Sequence, residues 1–155
     1  MEGPAPRSKK VVRRSRECSH GLNRLRRRSI VGLVKTVAVI GASTNRAKFG
    51  NKAVRAFAQQ GFKVYPVNPR ADEIEGIPSL ASILDAPVEP DIVTVYLPPA
   101  LVLKELPAIA EKGCGELWLN PGTVSPEVLA EAERLGLTVV QDCSLLRIGV
   151  SPAAF

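Results

Sequence analysis

Residues 36–50 read TVAVIGASTNRAKFG, and the reading of this stretch decides the fold. Val37, Ala38, Val39 and Ile40 form a continuous apolar run that stops at Gly41-Ala42-Ser43-Thr44-Asn45. A strand buried on both faces has this pattern, because neither face needs polar residues. Small residues after the strand let the backbone turn sharply and let a ligand approach it closely. A helical pattern opens a few residues later. Its unpaired N–H groups and the positive end of its dipole suit an anion such as a phosphate. The same stretch would also serve as an ordinary strand-to-helix turn, which every α/β domain needs.

The chain beyond it favours an α/β domain. Residues 48–60 place Phe49, Ala53, Val54, Ala56 and Phe57 at helical spacing, and Gly61 stands in the usual stop position. A strand is predicted over 62–67, ended by Asn68-Pro69-Arg70. A polar loop follows, and Ser79 is read as the cap of a short helix through Leu84. Further strands are predicted over 91–97, 116–119 and 137–141, and helices over 100–112 and 126–135. Ser125-Pro126 is an orthodox start for the last of these helices. Residues 142–155 show little regular pattern. Strand and helix alternate strictly, which implies a doubly wound, parallel, five-stranded sheet: a Rossmann-like, three-layer αβα domain over 34–155.

The N-terminal side differs in kind. Residues 1–35 hold 11 Lys+Arg against 2 Asp+Glu, whereas residues 36–155 hold 10 against 13. The formal net charge of +6 therefore comes from the first segment, and the folded part is mildly acidic. Residues 1–33 are read as a basic, disordered N-terminal extension, because they carry no sustained apolar stripe. A transit peptide, or an arm touching RNA or anionic lipid, are competing readings without a specific motif. With the positive charge confined to this segment, nucleic acid is not expected as a partner of the domain. No stretch approaches the roughly 18 apolar residues of a membrane helix, and no membrane partner is expected. The three cysteines, Cys18, Cys114 and Cys143, form no CxxC, and the only histidine is His20. No zinc site or disulfide framework is expected, and a cytoplasmic location fits.

Ligands of such folds bind beyond the carboxyl ends of the strands, where the strand order switches. Those ends read GAST, NPR, LPP, NPG and QDC. They are rich in residues that shape backbone, and they offer no nucleophile with a base beside it, so no catalytic residue is assigned. The dinucleotide fingerprint G-x-G-x-x-G is incomplete, since only Gly41 is present in GASTNR. The acidic residue that would hold an NAD ribose is replaced by Asn68-Pro69-Arg70. Arg70 suits instead a phosphate on an adenosine ribose, as in NADP or coenzyme A. Lys48 is a second candidate cation. The absence of GK[ST] excludes a Walker loop.

These residues resemble the stand-alone CoA-binding domain proteins, and the domain that opens the α subunit of succinyl-CoA synthetase. The resemblance runs from about Val34 to Cys143 through AVIGAST, FGNKAVRAF, YPVNPR, PSLASI, DIVTVYLPPA, ELWLNPG and GLTVVQDC. No single piece is specific, but their order and spacing are. It implies that Gly41, Ala42, Ser43 and Thr44 cradle the pyrophosphate of CoA, and that Asn68, Pro69 and Arg70 border the 3′-phosphate end. It places Leu97, Pro98 and Pro99 beside the pantetheine arm and Asn120, Pro121 and Gly122 at its other wall. Cys143 resembles a cysteine seen in stand-alone members, where a mixed disulfide with CoA competes with a plain packing role. The chain lacks the synthetase's phosphorylated histidine and its grasp domain, so the resemblance implies non-catalytic binding of CoA or an acyl-CoA. An NADP-dependent oxidoreductase or nucleotide-sensing Rossmann protein is the alternative. Oligomeric state is open, a homodimer included.

Overall fold

The structure, a computed structural model, describes residues 34–155. The basic segment with Cys18 and His20 lies outside the described residues. Five parallel strands form one sheet: β1 (Thr36–Ile40), β2 (Lys63–Val67), β5 (Ile92–Val95), β6 (Glu116–Leu119) and β7 (Val139–Gln141). Their order is β2-β1-β5-β6-β7. The register aligns Ile40 with Val67 and Val95, Val95 with Leu119, and Leu119 with Gln141, so the carboxyl ends share one edge. The chain leaves β1 toward β2 and then returns to the other side of β1, which puts the topological switch between β1 and β5.

Each face of the sheet carries its own core, because the alternate residues of a central strand point to opposite sides. Ala38, Ile40, Val93, Val95, Leu117 and Leu119 pack beneath α2 (Pro99–Lys112) and α3 (Pro126–Arg134). Val37, Val39, Ile92 and Trp118 pack with Val54 and Phe57 of α1 (Phe49–Gln59) and with Leu145 of α4 (Ser144–Arg147). Trp118 is buried there and meets Phe57 at 6.3 Å between ring centroids. Ser125 caps α3 by accepting from the Val128 N–H at 3.1 Å, and Pro126 takes the first helical position.

Three predicted segments come out differently. The polar loop after β2 is a small antiparallel hairpin, β3 (Glu73–Ile74) with β4 (Ile77–Pro78), turned at Glu75-Gly76. Ser79 caps no helix. Its hydroxyl donates to the Asn68 carbonyl at 3.1 Å, and Leu80 bridges to Val67, so the segment is drawn along the sheet edge. Only a 3-10 turn over Ile83–Asp85 forms, capped by Ser82. The final segment is anchored as well, since α4 buries Leu145 completely.

Candidate functional site

A groove of about 900 Å³ runs along the carboxyl edge of the sheet across the switch point. The turn after β1 supplies Gly41, Ala42 and Ser43; the end of β2 supplies Asn68, Pro69 and Arg70; the end of β5 supplies Leu97 and Pro98; the end of β6 supplies Pro121 and Gly122. The groove thus gathers ten of the thirteen residues that the sequence singled out. Thr44 and Pro99 do not line it. Asn120 is only 2% exposed, and its side chain is committed inward: the amide donates to Thr94 Oγ1 and to the Val95 carbonyl, and Oδ1 accepts from the Ser144 N–H, all at 2.8 Å.

Two glycines make the floor. Gly41 has φ +89°, and a Cβ there would sit 2.5 Å from the Tyr96 carbonyl oxygen. At Gly50 a Cβ would lie 2.2 Å from the Gly41 carbonyl oxygen. The start of α1 is thereby pressed directly onto the turn. The close helix-to-strand packing that the third glycine of a dinucleotide fingerprint supplies is supplied here by Gly50. Sequence reading missed this because the spacing is longer than in the fingerprint. A glycine in the first turn of the predicted helix was the available signal.

The turn offers an anion what it needs. Lys48 stands at the cap position of α1 with extended backbone, no side chain caps the helix, and its first turn holds no acidic residue. The helix therefore presents N–H groups and dipole without a built-in counter-charge. Lys48 and Arg70 both line the groove and are exposed, and the lining carboxylate is Glu105. The turn is held by side chains of the loops around it. Asn68 donates from its amide to the Ala42 carbonyl at 2.9 Å, and its Oδ1 accepts the Arg70 N–H at 2.8 Å, which ties the two loops together. Ser43 Oγ accepts from the Asn45 N–H at 3.0 Å, and Asn45 Oδ1 from the Ala47 N–H at 2.9 Å.

The rim is apolar. Phe49 and Leu101 line the groove and are 51% and 43% exposed. Phe49 was read from its spacing as part of the core face of α1; it opens instead onto the groove, because the first residue of the helix projects beyond the sheet edge. Cys143 is half-buried before α4 and is not part of the groove lining. No group of His, Cys, Asp and Glu able to hold a metal ion occurs among the described residues. No helix among them is long and apolar enough to cross a membrane.

A parallel sheet with its groove at the switch point, an uncapped helix start and a glycine-floored turn defines a Rossmann-like α/β domain. The family model of the CoA binding domain matches residues 35–149, and the chain belongs to that family. It is 43% identical over 111 residues to an ADP-forming acetate–CoA ligase II of Archaeoglobus fulgidus, a match covering 69% of this chain and 16% of the ligase. It is 29% identical over 114 residues to the uncharacterized protein YneT of Bacillus subtilis, covering 70% of this chain and 80% of that protein. Among solved structures, a conserved hypothetical protein of Pyrococcus furiosus superposes with a TM-score of 0.65 at 34% identity, covering 71% of this chain and 93% of that one. The chain thus spans a small part of the ligase and most of the two smaller proteins.

Proposed function

We propose that the chain binds coenzyme A, free or acylated, in the strand-edge groove and itself catalyses no reaction on it. The observation that carries this reading is the convergence of the glycine-floored turn, the uncapped α1 start and Arg70 on one groove, within a chain of the CoA binding domain family. The pyrophosphate would lie over Gly41–Ser43 against the first turn of α1, where N–H groups and dipole favour it without a cation at every oxygen. Arg70, with Asn68 and Pro69 setting its loop, would meet the 3′-phosphate through charge-assisted hydrogen bonds. Leu97 and Pro98, facing Pro121 and Gly122, would flank the pantetheine arm, and exposed Leu101 and Phe49 offer it apolar surface. The absence of catalysis rests on the lining, whose charged members are Lys48, Arg70 and Glu105 with no nucleophile–base pair among them.

Calorimetric titration with CoA, 3′-dephospho-CoA and NADPH tests this. CoA should bind most tightly, and Arg70→Ala should weaken CoA by about tenfold, the scale of one hydrogen-bonded charge contact. The same variant should leave 3′-dephospho-CoA nearly unaffected, because the phosphate that Arg70 meets is already missing. Binding of NADPH without CoA would overturn the reading in favour of a nicotinamide nucleotide.

A further inference from the structure

The tip of the hairpin β3–β4 reaches the turn after β1 through a connected set of hydrogen bonds. Glu75 occupies its tip with φ +52°, the only non-glycine residue with positive φ among those described. Its Oε1 accepts from Arg46 Nη1 at 2.5 Å, and its Oε2 accepts from Asn51 Nδ2 at 2.9 Å. Asn51 is fully buried, and the same amide nitrogen donates its other hydrogen to the Ser43 carbonyl at 2.9 Å. Asn51 Oδ1 in turn accepts from Arg55 Nε at 2.7 Å, and Arg55 Nη2 donates to the Arg46 carbonyl at 2.9 Å. Ser43 and Arg46, the two ends of the turn's outer half, are therefore each held by hydrogen bonds that lead back to one carboxylate. The Asn51 hydrogen bond, with help from the Arg46 charge and against some desolvation, holds the Glu75 carboxyl below the usual range, as expected of an ionised acceptor.

We propose that Glu75 is a positioning residue for the phosphate turn: from outside the groove it fixes Ser43–Arg46, through Asn51 and Arg46, in the form that receives the pyrophosphate. The proposal deepens the CoA reading and rests on it. None of Glu75, Asn51 and Arg55 lines the groove, so their influence on a ligand passes through the turn. Glu75 pays the conformational cost of a left-handed tip position, and in doing so directs its carboxylate at two donors on the turn side. An exposed ion pair alone would be worth little. This one is joined to a buried amide with no spare hydrogen-bonding group, and a network satisfied throughout holds its members more firmly than separate pairs do.

The test is a double-mutant cycle on CoA affinity with Glu75→Gln and Arg46→Met, run with hydrogen exchange of the ligand-free proteins. Each single variant should weaken CoA by about three- to tenfold, and the double variant should be no weaker than the worse single, the non-additivity of partners in one network. Pantetheine, which lacks the pyrophosphate, should bind all four proteins alike; a general loss of structure would weaken it too. Exchange at the amides over 43–47 should quicken in Glu75→Gln, while exchange in β5 and β6 stays as in the wild type. Additive effects, tighter CoA binding by Glu75→Gln, or unchanged exchange over 43–47 would overturn the proposal. If the wild-type chain takes up no CoA, the CoA reading fails and this one falls with it. If the wild type binds CoA and Glu75→Gln matches it, only the positioning role falls.

Discussion

Asn68-Pro69 after β2 and Asn120-Pro121 after β6 begin alike and finish in opposite physical situations. Both amides reach across to a carbonyl of a neighbouring loop or strand, Asn68 to Ala42 and Asn120 to Val95. Asn68 remains half-buried at the wall of an open groove, next to exposed Arg70. Asn120 is sealed, because α4 lies over it and Ser144 takes up its oxygen. A strand-end asparagine thus announces a turn, but whether it faces a ligand depends on what the rest of the chain lays on top. After β2 the asparagine stays at the wall of an open groove, whereas after β6 the final segment closes over it.

The largest effect should come from filling the floor on the open side. Gly50→Ala forces a Cβ to 2.2 Å from the Gly41 carbonyl oxygen, so the helix has to move. The expected loss is about 3 kcal/mol despite alanine's better helix propensity, read from urea unfolding. A neutral or stabilising outcome would show that α1 is free to slide off the turn.

On the sealed side, Asn120→Ala leaves the Ser144 N–H and the Val95 carbonyl without their partner in a buried place. A loss of about 2 kcal/mol is expected, with CoA affinity changed by less than about twofold. A tenfold loss of affinity at intact stability would return Asn120 to the binding wall. Asn68→Ala should do the reverse. Its cost in stability should be about 1 kcal/mol, since water can reach the freed groups, yet CoA should bind several-fold more weakly as the Arg70 loop loosens.

The smallest effect belongs beneath the sealed end, at Tyr96. Its hydroxyl is buried without a hydrogen-bond partner. The nearby Thr94 and Ser144 hydroxyls favour its ionised form, but they bond each other at 2.6 Å, and burial prevails, pushing the Tyr96 group up to about 12. Tyr96→Phe should therefore change stability at neutral pH by less than about 1 kcal/mol, in the stabilising direction. The raised value favours the neutral hydroxyl in the folded state. Stability from this source is complete below about pH 10 and disappears as pH rises toward 12, so the variant should flatten that part of the alkaline limb. Cys114, pushed up to about 12 chiefly by burial, adds a fall of the same sign beginning near pH 9 that Tyr96→Phe leaves in place. Stability measured from pH 8 to 12 distinguishes the two.

Much of the fold was legible because burial on both faces writes itself into composition. The runs VAVI, IVTV and ELWL have one reading in an alternating chain, and Ser125-Pro126 marks its helix start chemically. The hairpin at 73–78 was not legible, since only Ile74 and Ile77 are apolar and its tip is a glutamate in a conformation that glutamate seldom adopts. The segment after it misled for a related reason. Leu80, Ile83 and Leu84 have helical spacing, but Leu80 is claimed by a bridge to Val67, a tertiary contact that no local pattern records. At the groove, the backbone-shaping residues were visible as Gly, Pro and Asn. The bracing was not, because Asn51 and Arg55 form an ordinary i,i+4 pair and their partner Glu75 lies on a distant hairpin that no local pattern records.

The same dispersal governs how the chain acquires its sheet. Thr36, at the start of β1, donates its N–H to Asp91 Oδ2 across 55 residues, at the point where β1 and β5 begin to pair. No strand of the parallel sheet has a hairpin partner, and the local β3–β4 pairing lies outside it. Loop closure must therefore precede every stabilising ladder, which places the domain among slower folders for its size. During synthesis, β1 has to wait for more than fifty further residues before its inner neighbour exists, and the groove at the switch point is completed later still, when Pro121 and Gly122 follow β6.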